Sequence, residues 1–158
     1  MSARNELATE SSERELIITR IFDAPRSLVF KVWTQPEHLA RWFGPKNFTL
    51  PFCEMDFRPG GSYRFCMRSP EGIDCWVWGK YREIVEPERM VFTWNREDEN
   101  GNLWSKTVVT VTFAEHEGKT KFTLYQALFE KVEYRDEHNV GWSECVERLM
   151  NYVEHANK

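Results

Sequence analysis

The sequence contains no run approaching the ~18 uncharged apolar residues that a membrane-crossing helix requires. It has no CxxC pair, and no histidine stands at zinc-ligand spacing from any of its four cysteines, Cys53, Cys66, Cys75 and Cys145. It has no basic excess: 21 Lys and Arg against 25 Asp and Glu give a net charge of −4. A nucleic-acid partner would require a basic footprint, so none is expected. There is no Ser-His-Asp order, nucleotide-binding glycine loop or metal motif, and no cofactor is expected. Internal repeats, low-complexity runs and interdomain linkers are also missing. The four histidines, His38, His116, His138 and His155, are scattered and read as ordinary surface residues.

What is present is apolar and aromatic. Residues of the apolar class make up 41% of the 158 and aromatics 15%, which excludes a disordered chain and suits one domain with a real core. The start, "MSARNELATESSERE", is polar and has no apolar signal region, so residues 1–12 read as a flexible tail before a domain over 13–158. Together with unpaired cysteines this suggests reduced thiols and a cytoplasmic protein, monomer or homodimer. The weak alternative is a Cys66–Cys75 disulfide flanking a hairpin turn.

Glu15 to Phe22 is β-rich and reads as the first strand. "DAPRSLVFKVW" follows as a helix, with Asp23 as a possible cap and Leu28, Val29, Val32 and Trp33 on one face. Thr34 and Glu37 have capping-box spacing and open a second short helix that Gly44-Pro45 ends. Six candidate strands then alternate with turn signals, including "RPGGS", "SPEG", "EPER" and "EDENGN", so an antiparallel meander is expected. A helix from about Arg135 closes the chain, with Trp142, Val146, Leu149 and Val153 on one apolar face.

Alternation assigns the inner face of the sheet. Tyr63, Phe65 and Met67 share one side of their strand, and Met90, Phe92 and Trp94 share another. Val109, Val111, Phe113, Phe122, Leu124 and Gln126 continue it. In the strand between, a tight turn at Pro87-Glu88 pairs Tyr81 with Trp94 and Glu83 with Phe92. The turn at Ser69 to Gly72 instead places Trp76 and Trp78 beside Phe65 and Tyr63. Both hold only if a bulge shifts the parity; the first register has the shorter turn and is preferred. It leaves Glu83 and Gln126 as polar exceptions on the inner face. Glu83 is either a carboxylate with a raised pKa in an apolar cup or a salt-bridged residue. Gln126 hydrogen-bonds either a ligand or the protein itself. Gly141, early in the last helix, serves close packing or leaves room beside it.

The segments "FDAPRSLVFKVWTQPEHLARWFGP", "MDFRPGGSYRF", "GKYREIVEPERMVFTW", "TVTF" and "GWSECVERL", in this order, resemble the START/Bet v 1-like (SRPBCC) superfamily. Within it they are similar to the family of the C-terminal domain of the activator of heat-shock protein 90 ATPase. The resemblance implies an α+β helix-grip fold, with a curved antiparallel sheet of about seven strands around a long C-terminal helix. Two short helices follow strand one, and a cavity lies between sheet and helix. Trp42 and Phe43 then stand at the cavity mouth, as a lid or as a plug of the core.

The expected ligand is a small apolar or aromatic molecule. Its candidate contacts are Trp42, Phe43, Tyr63, Phe65, Tyr81 and Glu83, with Phe92, Trp94, Phe122, Gln126 and Trp142. Non-catalytic binding, with a stress-related accessory role, is the leading expectation. The resemblance also implies two alternatives: a chaperone-interaction module that stimulates the heat-shock protein 90 ATPase, and a cyclase or aromatase-type enzyme.

Overall fold

The computed structural model describes residues 14–97 and 103–157. The expected tail over residues 1–12 and most of the turn "EDENGN" lie outside the described residues. The element order is β1 (Leu16–Phe22), α1 (Arg26–Lys31), α2 (Pro36–Trp42), β2 (Thr49–Met55), β3 (Ser62–Arg68), β4 (Asp74–Val85), β5 (Arg89–Glu97), β6 (Leu103–His116), β7 (Lys119–Ala127) and α3 (Val132–Ala156).

The seven strands form one antiparallel sheet in the order β1-β7-β6-β5-β4-β3-β2. The meander from β2 to β7 brings β1 back beside β7. Strands β1 and β2 are therefore opposite edges, and α1 and α2 carry the chain across the open side between them. Helix α3, 25 residues and about 37 Å long, lies along that side. Trp142, Val146, Leu149 and Val153 are all buried, as their spacing requires, and His138 and Cys145 extend the stripe. This is the helix-grip arrangement.

Local signals are met unevenly. Neither short helix has a side-chain cap. Pro25 is the N-cap of α1, not Asp23, whose backbone N–H donates to Glu154. Gln35 is the N-cap of α2, and Thr34 Oγ1 donates back to Lys31 O at 2.7 Å, so the capping box does not form. Pro36 at the first helical position does the initiating work instead. Helix α3 begins at Val132, three residues before the expected start. The hairpin at Gly60-Gly61 forms as expected: Gly60 has φ +84°, and a Cβ on Gly61 would sit 2.0 Å from Asp56 O.

The β4 parity resolves through a bulge. Tyr81 pairs with Phe92, while Glu83 pairs with Val91, so two steps on β4 match one on β5. Tyr81 stays inside, but its partner is Phe92 and not Trp94. Glu83 turns to the outer face, where it pairs with Arg89. Trp76 and Trp78 pair with Cys66 and Arg64, and Arg64 lies over the Trp76 ring at 4.4 Å, also outside. All four cysteines are free, so no Cys66–Cys75 bridge exists.

Candidate functional site

The inner face is mostly solid. Phe122 stacks on Phe22 at 4.9 Å between centroids and meets Phe113 at 5.7 Å and Trp33 at 6.1 Å. Trp42 is fully buried, packs edge-on to Trp33 at 4.8 Å, and donates its indole N–H to Val32 O at 3.2 Å. It plugs the core and is not a lid. Tyr63, Phe65, Tyr81 and Phe92 surround, with Trp33 and Phe43, a void of only about 10 Å³. That space holds a single water at most.

A real pocket of about 380 Å³ lies to one side of this packing. One wall is the N-terminal half of α3: His138, Gly141, Trp142 and Cys145. The second is the loop after α2, Phe43 to Phe48. The floor is sheet: Met67 of β3, Cys75 of β4, and Trp94 and Arg96 of β5. Three aromatic rings meet there. Phe43 stands 5.9 Å from Trp142 and 6.2 Å from Trp94, and the two tryptophans are 5.1 Å apart. Arg96 and Glu137 approach to 3.5 Å at its rim. The lining is aromatic and sulfur-rich, with Arg96, Glu137 and Glu144 as its polar edge, which suits a flat, apolar body that carries no negative charge.

The walls are held by specific bonds. Gly44 has φ +110°, open to glycine, and turns the chain sharply after α2. Its N–H donates to Cys145 Sγ at 3.4 Å. Arg148 reaches from the next turn of α3 and donates Nη1 to the carbonyls of Gly44 and Pro45 at 3.0 Å each, and of Phe48 at 3.3 Å. One guanidinium thus fixes the loop to the helix.

Beneath the pocket runs a buried polar chain. Trp142 Nε1 donates to Gln126 Oε1 at 2.8 Å, and Gln126 Nε2 donates to Thr107 Oγ1 at 2.7 Å. Thr107 Oγ1 donates to Trp94 O at 3.3 Å. Trp94 Nε1 in turn donates to His138 Nε2 at 3.2 Å, and His138 Nδ1 bonds Tyr134 O at 2.7 Å. These partners assign the imidazole proton to Nδ1. Burial, aided by nearby Arg96, pushes the His138 pKa down to about 4 against the pull of the Tyr134 carbonyl. The ring is therefore neutral at pH 7. Burial also pushes the Cys145 thiol up to about 12 and raises Cys75, so both pocket thiols stay protonated.

Of the residues expected from sequence, Phe43, Trp94 and Trp142 line the pocket. Tyr63, Phe65, Tyr81 and Phe92 line the water-sized void and not this pocket, Trp42 and Phe122 are core, and Glu83 faces outward. Gln126 is fully buried and spends its amide on Trp142 and Thr107, supporting the pocket from below. His138, Cys75, Cys145 and Arg96 were missed as pocket residues, whereas Gly141, weighed from sequence as leaving room there, does line the pocket. His138 falls four residues before Trp142, on the same helical stripe, and that spacing was the available signal.

Among the described residues no cluster of three or more His, Cys, Asp or Glu side chains is placed to hold a metal. No helix among them is long and apolar enough to cross a membrane.

Comparison with known proteins agrees with this geometry. Protein NE0264 from Nitrosomonas europaea superposes with a TM-score of 0.77 at 24% identity, covering 92% of this chain and 97% of that one. The AHSA1 (SPO3351) protein from Silicibacter pomeroyi gives 0.79 at 22% identity, over 88% and 96%. A protein from Arthrobacter aurescens gives 0.75 at 25% identity, over 91% and 86%. The first two likenesses establish the fold alone. The comparison with curated proteins finds no match. A family model, described as activator of Hsp90 ATPase homolog 1-like protein, matches residues 23–154, from the turn after β1 to the last turns of α3. The chain belongs to the activator of Hsp90 ATPase homolog 1-like family.

Proposed function

We propose that this protein binds a small, flat, uncharged ligand in the pocket between α3, the Phe43–Phe48 loop and the β3–β5 floor, without chemical change. The observation that carries the reading is the pocket itself, an open cleft of about 380 Å³ beside a close-packed core. Its three ring walls, Phe43, Trp94 and Trp142, favour stacking and edge contacts with an aromatic body. The Arg96–Glu137 pair offers a donor and an acceptor at the rim for one polar group on the ligand.

Two features favour binding over catalysis. The carboxylate that an enzyme reading draws inside, Glu83, is paired with Arg89 on the outer face. The inner amide, Gln126, already has its carbonyl and one N–H engaged by protein groups. The chaperone reading rests on the family name, and the pocket does not call for a protein partner.

Titration with N-phenyl-1-naphthylamine, an uncharged aromatic whose fluorescence rises out of water, tests the proposal. Saturable binding at one site is expected, with native mass spectrometry detecting a mass increment for one probe. The absence of saturable binding overturns it.

A further inference from the structure

We infer that Gly141 sets the clearance of this pocket and thereby the bulk of the ligands it admits, an inference that rests on the binding reading above. Glycine inside a helix weakens it relative to alanine, so its presence calls for a cause. At other glycines among the described residues the cause is local. Gly44 has a positive φ, and a Cβ at Gly79 would stand 2.0 Å from Thr93 O. Gly141 has neither constraint. Its φ is not in the left-handed region, and a Cβ there would meet only Pro45 Cγ, at 3.6 Å, an ordinary contact. Neither backbone geometry nor close packing demands glycine.

What the missing side chain leaves is space on the pocket wall. Gly141 lines the pocket directly opposite Pro45, flanked along α3 by His138, Trp142 and Cys145. A larger residue would grow toward the loop. The loop is held: Arg148 Nη1 bonds both Gly44 O and Pro45 O at 3.0 Å, and Gly44 N–H bonds Cys145 Sγ. A branched side chain at 141 therefore turns into the pocket and occupies volume that a ligand would fill. The helix gives up intrinsic stability at this position, and the pocket gains width.

This assignment predicts that stability and binding move in opposite directions at one residue, which a packing role does not. The test uses the full chain, with Gly141→Ala, Gly141→Leu and, as an independent filler from the sheet side, Met67→Trp. Thermal melting and N-phenyl-1-naphthylamine affinity are read for each. Gly141→Ala should melt at or above the wild-type temperature and bind the probe more weakly. Gly141→Leu should weaken binding further, by about tenfold or more, the scale at which added bulk in an apolar site is felt. If Gly141→Ala lowers the melting temperature and leaves affinity unchanged, the glycine serves packing and the inference is overturned. If both Gly141 variants bind like wild type while Met67→Trp loses the probe, Gly141 has no such role although the pocket reading stands. If wild type does not bind at all, the pocket reading fails and the inference goes with it.

Discussion

Trp142 on α3 donates its indole N–H to the side-chain oxygen of Gln126 on β7, 2.8 Å away. The long helix is thus pinned to the sheet by a polar bond inside an apolar interface. The bond belongs to a chain that passes through Thr107 to the backbone carbonyl of Trp94, so Gln126 orients the Trp142 ring while His138 holds the Trp94 indole. Gln126 is therefore a positioning residue. Replacing it by leucine keeps the volume but leaves the Trp142 N–H without its acceptor, while Thr107 Oγ1 keeps its bond to Trp94 O. An orphaned buried donor costs about 1–3 kcal/mol. Gln126→Leu should destabilise the protein by about 1–3 kcal/mol in urea unfolding. A loss below about 1 kcal/mol would show that the network reorganises freely.

Trp42 and Phe43 are neighbours with different duties. Trp42 is fully buried and bonded to Val32 O, and it touches no pocket surface. Trp42→Ala should cost about 3–5 kcal/mol, as truncations of buried aromatics do. Phe43 faces both the core ring of Phe65, at 5.2 Å, and the pocket. Phe43→Ala should therefore both destabilise and change probe affinity. Urea denaturation and probe titration on the two variants separate the roles, and equal effects on affinity would contradict the division.

His138 makes stability fall in mild acid. Its folded pKa is depressed from 6.5 to about 4 by burial. Above pH 6.5 the ring is neutral in both folded and unfolded chains and contributes no slope. Between pH 6.5 and 4 the unfolded chain takes up a proton that the folded chain refuses. Stability then drops by up to about 1.4 kcal/mol per pH unit, roughly 3 kcal/mol across the window. Below pH 4 this contribution levels off. Comparing urea midpoints of wild type and His138→Gln from pH 8 to 4 checks it. The variant should lose that part of the acid slope, and an unchanged slope would place the titration elsewhere.

The fold was legible because its signals are periodic and redundant. Alternation marks Tyr63, Phe65 and Met67, then Met90, Phe92 and Trp94, as inward, and all are buried. The spacing of Trp142, Val146, Leu149 and Val153 finds the face of α3. The site was less legible because it depends on parity and on voids. One bulge between Tyr81 and Glu83 moves Glu83 from the inner face to the outer, and no residue type there announces it. Phe122 and Trp94 have equivalent inward positions, yet one packs against rings on every side and the other borders empty space. That difference arises from how α3 and the Gly44 loop sit over the sheet, which alternation does not encode.

Phe122 tests that distinction. It stacks on Phe22 and meets Phe113 and Trp33, among side chains that do not border the pocket. Phe122→Ala should destabilise by about 3–5 kcal/mol, the cost of an uncollapsed core cavity. Its folded population should still bind N-phenyl-1-naphthylamine with wild-type affinity at the original site.

Arg148 offers the complementary case, a residue outside the pocket lining whose loss should reach the ligand. Its Nη1 gathers the carbonyls of Gly44, Pro45 and Phe48. Hydrogen bonds from a charged donor contribute about 1.5–3 kcal/mol in favourable settings, but one guanidinium nitrogen shared among several acceptors spreads that gain. Arg148→Met preserves much of the aliphatic packing and removes the donors. We expect a modest loss of stability, about 1–3 kcal/mol, because the carbonyls can turn partly to water. The loop should loosen relative to α3, and the Gly44 amide, bonded to Cys145 Sγ, should exchange faster with deuterium. Probe affinity should fall because the pocket wall is no longer held at one separation. Hydrogen exchange over residues 43–48, read beside probe titration, checks both effects. Unchanged exchange in that segment would mean that Pro45 and its neighbours hold the loop without Arg148, and the wall would then be rigid for a reason other than this clamp.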